Sequence, residues 1–189
     1  NLITIDCRYN RLTTLPESII GLNQLTDLHC HHNQLQTIYN LPFSLFRLWA
    51  SFNHLSQWPS NLGECHFLST ILCSHNQLTD LPLTLGQLPN LVTLDCSYNL
   101  ISQFPQPLGH SLSLQYLNLE NNALRTLPQT LELVQIRSIN ITHNPIVHLP
   151  PTIYQRLHNV YGYEYDYGRQ TIYYDNQNVH DHHIQLSLK

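Results

Sequence analysis

Histidine and cysteine are the side chains here with the most capacity for chemistry: thirteen of the first and five of the second. His29, His31 and His32 crowd one short stretch, with His54 and His75 further on. On an extended strand His29 and His31 project to the same face, and Asp6 is placed to flank His29. Zinc needs three or four ligands converging tetrahedrally. Rows of side chains on a flat strand do not converge, so no metal is expected. His180, Asp181, His182 and His183 would hold nickel or zinc only adventitiously. Asp6 and His29 imitate a catalytic dyad, but no serine or cysteine nucleophile stands in the third place. There is no phosphate-cradling glycine loop, nucleophile elbow or zinc-protease helix. The expectation is a protein with no catalytic residues and no cofactor. Its histidines would begin to charge below about pH 6.

The elements that position these residues come from a recurring string. LITIDCRYN, LTDLHCHHN, LFRLWASFN, LSTILCSHN, LVTLDCSYN, LQYLNLENN and IRSINITHN all read L-x-x-L-x-L/C-x-x-N. They end on Asn10, Asn33, Asn53, Asn76, Asn99, Asn122 and Asn144, with spacings of 23, 20, 23, 23, 23 and 22. In the fifth, Leu91, Leu94 and Cys96 point inward from a strand while Thr93, Asp95 and Ser97 face the other way. Asn99 turns the chain, and its amide serves backbone groups that the turn leaves unpaired. Stacked, these asparagines make a structural ladder. Ile101 and Phe104 re-enter the core, Pro105 begins the return segment, and Leu108 and Leu114 close the repeat. One repeat cannot bury its leucines alone, whereas a stack buries them continuously.

A period in this range, with these leucines and asparagines, resembles the leucine-rich repeat. The resemblance implies an α/β solenoid: a right-handed horseshoe with a concave parallel β-sheet and short helical or extended convex segments. It covers residues 1–158, about seven repeats and a degenerate one. NQLTDLPLTLGQL, from Asn76 to Leu88, closely resembles the 23-residue intracellular class. The second repeat, NQLQTIYNLPFSLFRL, is three residues shorter and looks like the 20-residue repeat of bacterial effectors delivered into host cells. The mixture, with its Cys, His and Gln bias, resembles a leucine-rich-repeat effector of an intracellular bacterial pathogen. That resemblance implies a protein-interaction module binding a host protein. Two alternatives stand beside it. One is the substrate-recognition arm of a larger enzyme such as a ubiquitin ligase. The other is an intracellular scaffold for small GTPases or phosphatases.

Composition narrows the partners. A formal charge of −4 with 11% charged residues supplies no basic patch for phosphates, so nucleic acid is not expected. No run of apolar residues is long enough for a membrane span. The chain opens inside a repeat strand, shows no signal peptide and has no Met, which fits a trimmed or processed fragment. Cys7, Cys30, Cys73 and Cys96 share the last inward strand position, and Cys65 aligns with Leu88. All five therefore read as small buried hydrophobes in a reducing, cytosolic compartment, with host-cell cytosol as the effector's destination. A monomer is expected.

Binding is expected on the exposed strand positions. The eighth position of each string runs Tyr9, His32, Phe52, His75 and Tyr98, five consecutive rungs with a ring, within stacking reach of one another. Trp49 and Leu72 add apolar surface beside Phe52. His29 shares the fifth position with Trp49, Leu72 and Asp95. Asp6, Arg8, Asp27, Arg47 and Asp95 form a polar rim. A ring column that only packs against itself is the competing expectation. Residues 159–189 are expected to form a β-rich C-terminal cap pairing with the last rung, with a hairpin around Gly168. The tyrosines Tyr161, Tyr163, Tyr165, Tyr167, Tyr173 and Tyr174 are a candidate second edge.

Overall fold

The structure, a computed structural model, describes residues 1–106, 113–129, 136–147, 150 and 171–173. The repeat produces one strand per rung: β1 (Thr4–Asp6), β2 (Asp27–His29), β3 (Arg47–Trp49), β4 (Thr70–Leu72), β5 (Thr93–Asp95), β6 (Tyr116–Asn118), β7 (Ser138–Asn140) and β8 (Thr171–Tyr173). They lie in chain order in one parallel 8-stranded sheet. This is a leucine-rich-repeat solenoid. Each strand is three residues long, shorter than the string suggests, and covers its third to fifth positions only. Cross-rung backbone bonds continue beyond it: Cys7 N–H donates to the His29 carbonyl (2.9 Å), Tyr9 N–H to His31 (3.2 Å) and Asn10 N–H to His32 (3.1 Å).

The central strand residues Leu28, Leu48, Ile71, Leu94, Leu117 and Ile139 lie in register and are buried. The first and sixth string positions join them in one continuous core, as Leu91 and Cys96 do in the fifth rung. Cys30, Cys65, Cys73 and Cys96 are buried. Cys7 departs from expectation and is only half-buried, because β1 is the sheet edge. Burial raises the Cys65 thiol to about 11 and holds those of Cys30 and Cys96 well above the usual thiol range. These thiols are therefore poor nucleophiles.

The asparagines join rung to rung. Asn76 Nδ2 donates to its own rung at Cys73 O (3.0 Å) and Ser74 O (3.2 Å), and across to Ala50 O (3.1 Å). Its Oδ1 accepts from Leu55 N–H of the preceding rung at 2.9 Å. Asn33, Asn53, Asn99, Asn122 and Asn144 repeat the arrangement and are buried. Asn10, at the edge, is exposed and donates only within its own rung, to Cys7 O and Arg8 O.

Pro16 and Pro82 each open a single 3₁₀ turn on the convex side, Glu17–Gly21 and Leu83–Gln87, and a third turn covers Leu62–Glu64. The short second repeat has no such helix. It returns through a tight turn in which Leu45 N–H donates to Pro42 O at 3.1 Å. Buried Asn61 of the next repeat holds that turn, accepting from Leu41 N–H (2.9 Å) and donating to Leu41 O (2.8 Å).

Strand β8 pairs in parallel with β7, Ile139 opposite Ile172, and so continues the sheet as a further rung. Leu108, the boundary expected at 158, the Gly168 hairpin, the tyrosines other than Tyr173 and the His180–His183 string lie outside the described residues.

Candidate functional site

The strand face and the bends that follow it carry the candidate residues. Tyr9, His32, Phe52, His75 and Tyr98 do not lie on strands. They sit in the bend three residues past each strand end. There the backbone is left-handed: φ is 53° at Tyr9, 56° at His32 and Phe52, 54° at His75 and 53° at Tyr98. Asn121 and His143 occupy the same conformation in the sixth and seventh rungs. This region disfavours residues with a Cβ, and Asn and His tolerate it better than a bulky ring.

The repeat aligns the rings into one stack. Centroids are 4.4 Å apart from Tyr9 to His32, 4.3 Å from His32 to Phe52, 4.2 Å from Phe52 to His75 and 4.3 Å from His75 to Tyr98. Ring planes diverge by 28° at the first pair and only 8° at the last. Because the faces cover one another, the column shows ring edges to solvent. Phe52 stays 43% exposed and Tyr98 40%. The Tyr98 hydroxyl donates to Glu120 Oε1 (3.2 Å), and this bond raises its pKa.

On the sheet, His29 stacks on Trp49 at 4.2 Å and 10°. Trp49 and Leu72 were expected to add exposed apolar surface. Both are only half-exposed, and Trp49 lies flat on the His29 ring. The Trp49 indole N–H is shielded and has no hydrogen-bond partner among the described residues. An unsatisfied buried donor costs about 1–3 kcal/mol.

His31 completes this region. Its Nδ1 lies 2.8 Å from His32 Nδ1, so one ring donates and the other accepts. Its ring meets Tyr9 edge-on at 5.4 Å. The sequence places His31 at an exposed strand position and suggests it as a metal ligand, without marking it as a binding residue. Among the described residues, no three metal-ligating side chains cluster to hold an ion.

The polar rim is largely paired within itself. Arg8 Nε donates to Asp6 Oδ1 at 2.8 Å, and this guanidinium lowers the Asp6 pKa. Asp6 is thus engaged by Arg8 rather than poised as a dyad partner. Asp27, expected on the rim, is buried and is bound by Thr26 Oγ1 (2.7 Å) and by Arg47 Nε. Burial pushes its carboxyl up, but the Thr26 hydroxyl and the Arg47 guanidinium outweigh that and hold it low. Asp95 Oδ1 accepts from Ser97 N–H (2.9 Å) and Oγ (2.7 Å), and Asp95 lies in register with Asn118 of the next strand.

Burial, then the neighbouring charges of His32, Arg8 and His29, depress the His31 pKa. The unfolded chain therefore takes up this proton first, at about pH 6.5. This contribution to stability is present above that pH and declines as pH falls toward the lower folded value. A pH series of thermal melts between 7.5 and 5 is expected to fall more steeply for the native chain than for His31→Asn. Parallel curves would remove His31 from the linkage.

Comparison with known proteins agrees with this architecture. A family model for leucine-rich repeats in two copies matches residues 66–110, and one for a single leucine-rich repeat matches 113–133. No curated protein matches the chain by sequence. Among solved structures, a leucine-rich-repeat protein of Leptospira interrogans is 26% identical, with a TM-score of 0.62 over 88% of this chain and 49% of its own. The functional domain of InlJ from Listeria monocytogenes, which includes a cysteine ladder, is 23% identical, with a TM-score of 0.59 over 79% of this chain and 36% of its own. The leucine-rich-repeat ectodomain of the Arabidopsis thaliana membrane receptor kinase GASSHO1/SCHENGEN3, solved in complex with CASPARIAN STRIP INTEGRITY FACTOR 2, is 22% identical, with a TM-score of 0.73 over 95% of this chain and 22% of its own. The last two likenesses concern fold alone. The chain spans about half the length of the Leptospira protein or less of the others. No helix among the described residues is long and apolar enough to cross a membrane.

Proposed function

We propose that this solenoid binds a protein partner through rungs one to five, using the ring column and the adjoining strand face. Leucine-rich-repeat domains are in general protein-interaction modules, and this one presents the exposed aromatic edges of such a surface. The observation that carries the reading is backbone conformation. Tyr9, Phe52 and Tyr98 hold bulky rings where the backbone favours Asn or Gly. Strain kept at three alternate rungs, one, three and five, is the kind that clusters at functional surfaces. His29, Trp49, Leu72 and Asp95 extend the surface along the sheet, with Arg47 at its margin.

The partner we propose is a host protein met in a reducing cytosol. Support comes from the 20-residue second repeat, which resembles those of bacterial effectors, and from the free buried cysteines. The test is affinity capture from host-cell cytosol, followed by binding of the purified captured protein. The native chain is compared with a Trp49→Ala, Phe52→Asn, Tyr98→Asn variant shown to be folded by circular dichroism. Binding by the native chain at least about tenfold tighter, or ~1.4 kcal/mol, is expected. Equal binding by both chains would move the site off this face.

A further inference from the structure

We propose that the notch left by the short second repeat is a second binding site, on the convex side, for a cationic side chain of a basic protein segment. Its origin is the spacing. The return between β2 and β3 lacks the 3₁₀ turn found at Glu17–Gly21 before it and Leu62–Glu64 after it. A cavity of about 230 Å³ opens there. Glu17 borders it on one side, Tyr39 and Asn40 of the short repeat lie across it, and Trp58 and Ser60 close the other side.

The chemistry of the walls selects the ligand. Among the described residues, Glu17 is exposed with no ion-pair partner and no cationic side chain lines the cavity. Tyr39 is 55% exposed and its hydroxyl is unpaired among the described residues. Trp58 is held in place by its indole N–H, which donates to Asp80 O at 2.9 Å, and by packing against the core. Ser60 Oγ lies 2.8 Å from Asn40 Oδ1 and 3.1 Å from Tyr39 O, so its one proton is committed to acceptors of the short repeat. One carboxylate beside two aromatic side chains is a set that attracts an ammonium or guanidinium through ion pairing and cation–π contact. Size agrees: pockets for whole small molecules run from about 300 to 1,000 Å³, so this one suits a single side chain.

The test uses the intact chain labelled with 5-fluorotryptophan. Its two tryptophans give separate ¹⁹F signals, assigned with Trp58→Phe. Nα-acetyl-argininamide is titrated against Nα-acetyl-citrullinamide, its neutral isostere. Expected is a saturable shift of the Trp58 signal with argininamide, little shift of Trp49, and weaker binding of citrullinamide. Glu17→Gln is expected to weaken argininamide binding by about two- to fivefold, the size of one exposed ion pair. Two results would overturn the site: equal responses to the two amides, or an unchanged argininamide affinity in a Glu17→Gln chain with native circular dichroism.

Discussion

Asn76→Ala is expected to lower the stability of the solenoid by about 3 kcal/mol, while Asn10→Ala lowers it by less than about 1 kcal/mol. The two side chains are the same residue in the same string position. Asn76 is buried and serves three carbonyls and the Leu55 N–H, two of these groups belonging to the preceding rung. Alanine removes four bonds at once and strands the Leu55 N–H, while the carbonyls of Ala50, Cys73 and Ser74 keep only the donors Asn53, Asn99 and the Phe52 N–H. Asn10 is exposed and bonds only within its own rung, where water replaces it. Urea titrations followed by circular dichroism check the pair. Equal midpoints for the two variants would show that the cross-rung bonds contribute nothing.

Phe52→Ala is expected to destabilise the fold more than Phe52→Asn, and Phe52→Asn is expected to remove partner binding from a folded chain. Phe52 stacks on His32 at 4.3 Å and on His75 at 4.2 Å. Each such pair contributes roughly 0.5–1.5 kcal/mol, which both substitutions lose. The left-handed backbone at φ 56° remains unfavourable for alanine. Asparagine tolerates it, as Asn121 does in the sixth rung, and recovers about 1 kcal/mol. Thermal melts rank the variants, and binding of the captured protein reads the site. A Phe52→Asn chain that binds as the native one does would leave the column with packing as its only role.

Much of this molecule is written along one dimension. A spacing of 23 residues brings Leu94 beside Ile71, Asn99 beside Asn76 and Tyr98 beside His75. Each contact joins one rung to the next, so the period alone predicts parallel strands, a leucine core, an asparagine ladder and neighbouring rings. The same period displays the missing three residues of the second repeat.

What the period does not carry is the path of the backbone within a rung and the choices of individual side chains. Strands stop at the fifth string position, and the rings stand in a left-handed bend beyond them, because the chain must turn before the inward asparagine. That turn directs His31 toward His32 and Tyr9 rather than toward a metal site. Trp49 lies flat on His29 and Asp27 sinks beneath Arg47, choices made by packing and hydrogen bonding between adjacent rungs. The convex notch needed more still. Glu17, Tyr39 and Trp58 come from three successive repeats, and only the folded stack shows that a deleted turn leaves a carboxylate and two aromatic side chains around one cavity.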